Sequence, residues 1–207
     1  MKNDKYTTLA TSFVIDTTIA ALKKNNISAM VVDTEEEAIT QATSLIPEGS
    51  EVMTATSKTL EKLGLDTLFN DSGKYNSIKS QLKKLNREHD GLKMQKLGAA
   101  PEYVIGSVHA VTKDGKIVIA SGSGSQLPSY SYSAPNVIWI VSTKKIVSDV
   151  EEGLDRIYQH ILPLEDERMK EVYGPESGST PRKILIINSE LNPKRINIVF
   201  VKKNLGF

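Results

Sequence analysis

Two short apolar runs, each handing on to a helical pattern, constrain this chain most. Ile27 to Val32 is β-branched and apolar, closes at Asp33-Thr34, and passes into Glu35 to Ile46, an acidic-started helical stretch stopped by Pro47 and Gly49. Glu51 to Ala55 repeats the plan: Thr56 or Ser57 can cap the next segment, and Lys58 to Leu63 continues as a helix into Gly64. Strands joined through helices need crossover connections, and crossovers set strands side by side in parallel. The expected class is α/β: a single domain with an open, mainly parallel sheet and helices on both faces.

The rest of the chain extends that plan. Residues 6 to 24 carry two apolar stripes at helical period, Tyr6-Leu9-Phe13 and Ile15-Ile19-Leu22, which predict a first helix. Between residues 70 and 98, Ile78, Leu82, Leu85 and His89 share one face of an expected amphipathic helix. Tyr103 to Thr112 and Lys116 to Ala120 are strand-like, and the Asp114-Gly115 pair between them suits a tight β-hairpin inserted in the sheet. Val137 to Ser142 is the most strand-like run. Val150, Leu154, Ile157 and Ile161 form a helical stripe that Pro163 is expected to stop, before a short charged helix over Glu165 to Tyr173. Lys183 to Ile187 and Ile196 to Val201 close the chain as strands about an Asn192-Pro193 turn. No linker forces a split, so one domain is expected over 1–207, with 1–49 supplying N-terminal helices and the first strand.

Composition removes several chemistries. Without Cys these residues supply no disulfide, thiolate nucleophile, Cys-ligated zinc or iron–sulfur cluster. Lys and Arg number 26 against 25 Asp and Glu, a net charge of +1, so no global field draws the chain to nucleic acid or an anionic membrane. No run approaches roughly 18 apolar residues and the opening Met-Lys-Asn-Asp-Lys starts no leader, so a cytoplasmic protein is expected. No two His stand at metal-ligand spacing, and neither a metal nor another cofactor is expected.

Four segments can carry chemistry. Ser121-Gly122-Ser123-Gly124-Ser125-Gln126 comes after a strand, and its amides and hydroxyls can converge on a phosphate or carboxylate; the alternative is a turn that merely turns. It matches neither a Walker loop nor the dinucleotide fingerprint. His109, just before the hairpin, can act as acid, base or anion ligand, or be a hydrogen-bonded structural ring. Glu165, Asp166 and Arg168 come after Pro163, where acids suit a first helical turn without any function, or a carboxylate acts as acid/base while Arg168 grips a substrate carboxylate. Thr54, Thr56 and Ser57 lie at a strand end and helix start, either an anion-facing turn or an ordinary cap.

Read in order, several of these segments resemble the LUD (lactate utilisation) domain family, in its group of short cysteine-free proteins. The carrying residues are Gly106 to Gly115, Ser121 to Gln126, Val137 to Val141 with Lys145-Ile146-Val147, Leu162 to Arg168, Lys183 to Asn188 and Leu205-Gly206-Phe207, so the likeness runs from about residue 50 to the end. The resemblance implies a fold similar to the NagB/RpiA/CoA-transferase superfamily, with a ligand cleft at the carboxyl ends of the central strands. It also implies a place in lactate catabolism beside Fe–S and other LUD proteins that oxidise lactate to pyruvate. Many members carry Asn in the position of His109, which marks that residue as tuning a ligand rather than performing an obligatory proton transfer. The isomerase segment of the wider superfamily and the transferase Glu are both missing here. The expectation is an accessory protein binding a small anionic metabolite; the alternative is a stand-alone transferase or isomerase using His109, Glu165 or Asp166.

Overall fold

The computed structural model describes residues 4–207. A helix α1 (Ser12–Lys24), capped by the Thr11 hydroxyl, leads into strand β1 (Ser28–Val32). Thr34 and Glu37 then cap each other's amides in a reciprocal box, with three glutamates in the first turn, and so start α2 (Glu35–Ser44). Next come β2 (Glu51–Thr54), α3 (Lys58–Lys62), α4 (Leu65–Asp71), β3 (Asn76–Ser77), α5 (Ile78–Leu82), α6 (Arg87–Ala99) and β4 (Tyr103–Gly106). The hairpin is β5 (Ala110–Thr112) and β6 (Ile117–Ser121), succeeded by β7 (Asn136–Ser142) and β8 (Ile146–Val147). Helices α7 (Val150–Arg156) and α8 (Leu162–Tyr173) precede β9 (Lys183–Ile187) and β10 (Ile196–Val201).

Six strands form a parallel sheet in the order β1-β10-β7-β4-β2-β3, flanked by helices, which is the α/β architecture the alternating pattern demands. Central β7 is buried from Val137 to Ser142, since a parallel strand covered on both faces has no wet side. Its side chains divide with the period of two: Val137, Trp139 and Val141 join one apolar core, Ile138 and Ile140 the other. The first core also takes Val111, Ile117 and Ile119, so the two sheets close on shared apolar packing.

Three local readings are corrected. The hairpin does not join the main sheet. Residues 103–112 are two strands, and the chain leaves the parallel sheet at Ser107 to enter a second one ordered β8-β5-β6-β9, where Lys183–Ile187 also lies. Gly115 does sit at φ +84, and the tip packs so closely on the end of α1 that an added Cβ would stand 2.7 Å from the Ala21 carbonyl carbon. The 70–98 stripe is broken: Asn86 accepts from the Glu88 amide and starts α6 afresh. Pro163 stops nothing. A π turn over Ile157–Ile161 carries α7 into α8, and Pro163 falls at the start of α8, where a wide turn accommodates a residue without an amide proton.

Candidate functional site

The carboxyl ends of β2, β4, β7 and β10 meet on one edge of the main sheet. After β7 the chain turns through Thr143, Lys144 and Lys145, all buried, and both lysine side chains point inward. Lys145 Nζ lies 3.0 Å from Ser107 Oγ, 3.1 Å from the Val108 carbonyl and 3.4 Å from Thr59 Oγ1. Lys144 Nζ donates to Asn204 Oδ1 at 2.6 Å and to the Gly206 carbonyl at 2.7 Å. From α7, Arg156 is wholly buried and donates to the His109 carbonyl (2.6 Å) and the main-chain oxygen of Phe207 (2.8 Å), while its Nε–H has no acceptor. Its guanidinium also lies 5.9 Å from the centre of the Tyr6 ring.

Among the described residues, no Asp or Glu carboxylate reaches Lys144, Lys145 or Arg156. Burial and mutual repulsion therefore prevail, with Tyr6 acting against burial at Arg156. Burial first, then Arg156 and Lys144, hold Lys145 well below the ordinary lysine range. Lys144 is lowered to about 8 by burial, Arg156 and Lys62. Burial lowers even Arg156, to about 10. The edge thus sets Arg156 and Lys144 beside a third amine, Lys145, whose charged form is disfavoured. Buried positive charge without a counter-charge is costly, and an entering anion relieves it.

His109 borders this cluster. Its Nδ1 accepts from the Ala120 amide at 3.2 Å, which leaves the neutral ring its proton on Nε2. Burial first, then Lys145 and Arg156, depress it to about 3. The Thr54–Ser57 turn lies on the same edge, but its groups are engaged: Thr54 Oγ1 pairs with Asn70, Ser57 caps α3, and Thr56 faces solvent. The Ser121–Gln126 loop begins one residue after the His109 contact and turns onto itself. Ser121 Oγ receives the Gly124 amide (2.8 Å) and donates to Gln126 Oε1 (3.0 Å), Ser123 Oγ receives the Ser125 amide (3.2 Å), and Gly122 is the intermediate turn residue. Lys183 closes the loop by donating to the Ser123 carbonyl at 2.9 Å. Glu165 and Arg168 grip each other on α8, and Asp166 accepts from Lys170 (2.6 Å) and the Ser179 amide (3.0 Å). None of these three touches the cationic edge through those bonds. Lys144, Lys145, Arg156, Ser107 and Thr59 are the residues that pattern reading missed. The one local signal was a Lys pair directly after the most apolar strand.

A shallow recess of about 310 Å³, lined by Lys58, Glu61, Lys62, Gly206 and Phe207, opens over this edge. A larger one of about 420 Å³ runs along α6 between His89 and Lys96 and has no buried polar group in its lining. Gly206 forms the roof: φ is +65, and an added Cβ would lie 2.4 Å from Thr59 Oγ1 and 3.4 Å from Lys145 Nζ. Gly206→Ala is expected to cost about 1–3 kcal/mol through left-handed strain and the clash. Thermal unfolding should show this as a midpoint lowered by roughly 3–10 °C; an unchanged midpoint would mean the roof is not seated.

The family model of the LUD domain matches residues 15–201. The match takes in α1 and β1, well before the residue 50 at which the motif likeness begins, and stops just short of the segment that roofs the cations. Among solved structures, a DUF162 family protein from Deinococcus radiodurans is similar in fold, with a TM-score of 0.58, 11% identity, and coverage of 94% of this chain and 99% of that one. No curated protein matches the chain. Among the described residues no helix is long and apolar enough to cross a membrane, and no group of three or more His, Asp or Glu stands together as a metal site would require.

Proposed function

This chain belongs to the LUD domain family, and from that premise we propose that it binds a small anionic metabolite, lactate-related or phosphorylated, as an accessory component of lactate or other organic-acid metabolism. Family membership supports the lactate-related role. The observation that carries the binding reading is the buried pair Lys144 and Arg156, which has no Asp or Glu partner and uses the Asn204 amide oxygen and main-chain oxygens as acceptors instead. Hydrogen bonds to an ionised acceptor are about twice as strong as those to a neutral one, so a carboxylate or phosphate outcompetes the amide and peptide oxygens of Asn204, Gly206 and His109. Ser107 and Thr59 add hydroxyls, and His109 and the Thr54–Ser57 turn border the ligand. The Ser121–Gln126 loop, whose Gly124 and Ser125 amides are already taken, forms an outer wall. Having no Cys, these residues leave cluster chemistry to protein partners, in this proposal Fe–S and other LUD proteins of lactate oxidation.

Calorimetric titration of the purified protein with lactate, pyruvate and a sugar phosphate tests the reading. At least one is expected to bind, and Lys144→Met is expected to weaken it by roughly 10-fold or more. Gly124→Val, which drives a side chain into Lys183 at a residue with φ +86, should leave that affinity nearly unchanged. Full affinity in the Lys144 variant, or its loss in the Gly124 variant alone, would move the site to the loop.

A further inference from the structure

We infer that the segment Asn204–Phe207 is a displaceable strap over the cation cluster, a neutral occupant that holds the anion site closed and yields it to an entering carboxylate or phosphate. The inference rests on the anion site proposed above and adds what regulates access to it.

After β10 the chain crosses the carboxyl edge of the main sheet, and there its polar contacts run in one direction only. Lys62 Nζ donates to the Asn204 carbonyl at 2.9 Å, Lys144 Nζ to Asn204 Oδ1 and the Gly206 carbonyl at 2.6 and 2.7 Å, and Arg156 to the main-chain oxygen of Phe207 at 2.8 Å. Against these bonds from three cations, no amide of residues 203–207 donates to another backbone oxygen, whereas that of Lys202, just before the strap, still bonds the Val32 carbonyl at 3.0 Å. A segment that gives oxygens to cations and engages none of its own N–H groups in this way does what a bound oxyanion does. None of its residues is Asp or Glu. Each cation is therefore matched to a neutral oxygen, about half as strong a partner as a carboxylate or phosphate oxygen. A carboxylate at position 204 would fix the strap permanently, whereas an amide leaves it exchangeable.

The packing allows the strap to leave and to return. Gly206 passes over Thr59 and Lys145 as bare backbone at φ +65, so no side chain interlocks at that crossing. Leu205 is wholly buried in the core that also holds Leu60 and Val201, and its apolar surface draws the strap back once the anion departs. Approach is through the shallow recess, where Lys58, Glu61 and Lys62 face Gly206 and Phe207. The recess stops at the strap, which lies between it and the two buried cations. Lys62, its side chain 53% exposed, is the first cation an anion meets there, and engaging it frees the Asn204 carbonyl. Lys144 and Arg156 then exchange their neutral oxygens for charged ones, and the buried Arg156 Nε–H, which has no acceptor, adds a donor.

The test reads trypsin cleavage after Lys203 together with affinity for inorganic phosphate and pyruvate, on the full chain. Saturating anion should speed cleavage of the Lys203–Asn204 bond by roughly 5-fold or more, because a released strap is open to the protease and a seated one is not. Asn204→Asp, which sets a carboxylate on Lys144, should lock the strap: cleavage stays slow with anion present, and anion affinity falls by roughly 10-fold or more. Asn204→Ala, which removes one of the two Lys144 acceptors, should raise affinity by roughly 5-fold. Binding by the Ala variant alone would support the strap as well. If all three proteins bind anion alike, or if bound anion leaves cleavage after Lys203 unchanged or slower, the inference is overturned and the anion site stands. If neither anion binds any of the three, the anion site itself falls and this inference with it.

Discussion

Replacing Arg156 by Met is expected to weaken binding of lactate or pyruvate by roughly 100-fold or more, the consequence of removing a fully buried charge from its partner. The same change should raise the proton affinity of four other groups. Arg156 is the residue whose charge bears on His109, His160, Lys144 and Lys145 alike, acting second to burial at Lys144, Lys145 and His160 and behind burial and Lys145 at His109. His160 reports this cleanly. Its ring lies 5.6 Å from that of Tyr6 and is tilted 45° to it, its Nε2 is buried without a partner, and burial, Arg156 and Lys144 together lower it to about 4. The chain has three histidines, so proton NMR of the imidazoles can track each titration. In the Met variant the His160 midpoint should move up toward the ordinary value while staying below it, because burial persists. Lost binding with an unmoved His160 would show that Arg156 contacts ligand without setting the field. Retained binding would remove Arg156 from the site. Met fills much of the volume of the Arg stem, so the fold should survive.

The range of the interactions involved decides which features could be read from sequence. The strand-to-helix alternation is local, and it was enough for a parallel α/β sheet because crossovers leave little choice. Sheet membership is not local. Val104 and Val111 look alike in a continuous apolar run, and only the departure of the chain at Ser107 sends one to each sheet. That departure places Ser107 and the Val108 and His109 carbonyls around the lysine and arginine, so missing it meant missing the site. Lys144 and Lys145, read alone, look like a solvated turn. Their burial is created by Asn204 to Phe207, some 60 residues further on. Arg156 was hidden for another reason. The apolar stripe Val150, Leu154, Ile157, Ile161 has one helical period, but the buried face is Gly153, Arg156, Ile157, His160 and Ile161, at ordinary helical spacing, and its polar members are passed over when only apolar side chains are counted. The Gly/Ser loop drew notice by composition alone. Its three serines serve its own amides and side chains, which no spacing rule distinguishes from serines that serve an anion.

The other large effect concerns acid. His109 takes a proton only near pH 3 and His160 only near pH 4 in the folded chain, whereas in the unfolded chain both titrate near 6.5. Between those limits the unfolded state binds more protons, so stability is complete above pH 6.5 and falls as the pH falls toward 4. Each ring contributes a slope of at most about 1.4 kcal/mol per pH unit, and two rings over two units approach ~5 kcal/mol, comparable to the whole stability of an ordinary domain. Water reaching the partly exposed His109 ring reduces its share, so that sum is a ceiling. Carboxylates join only below about 4.5. Glu152 is an example: burial alone would raise it, but its bonds from Lys5 and Ser148 prevail and hold it at about 2. The loss of stability should therefore begin two units above the range where acids alone would start it. Urea unfolding between pH 7 and 4.5 measures the slope directly. The double variant His109→Asn, His160→Phe should flatten it, since Asn retains an acceptor for the Ala120 amide and Phe removes a nitrogen that has no partner. An equally steep decline in the variant would mean that some group other than these two rings takes up the protons.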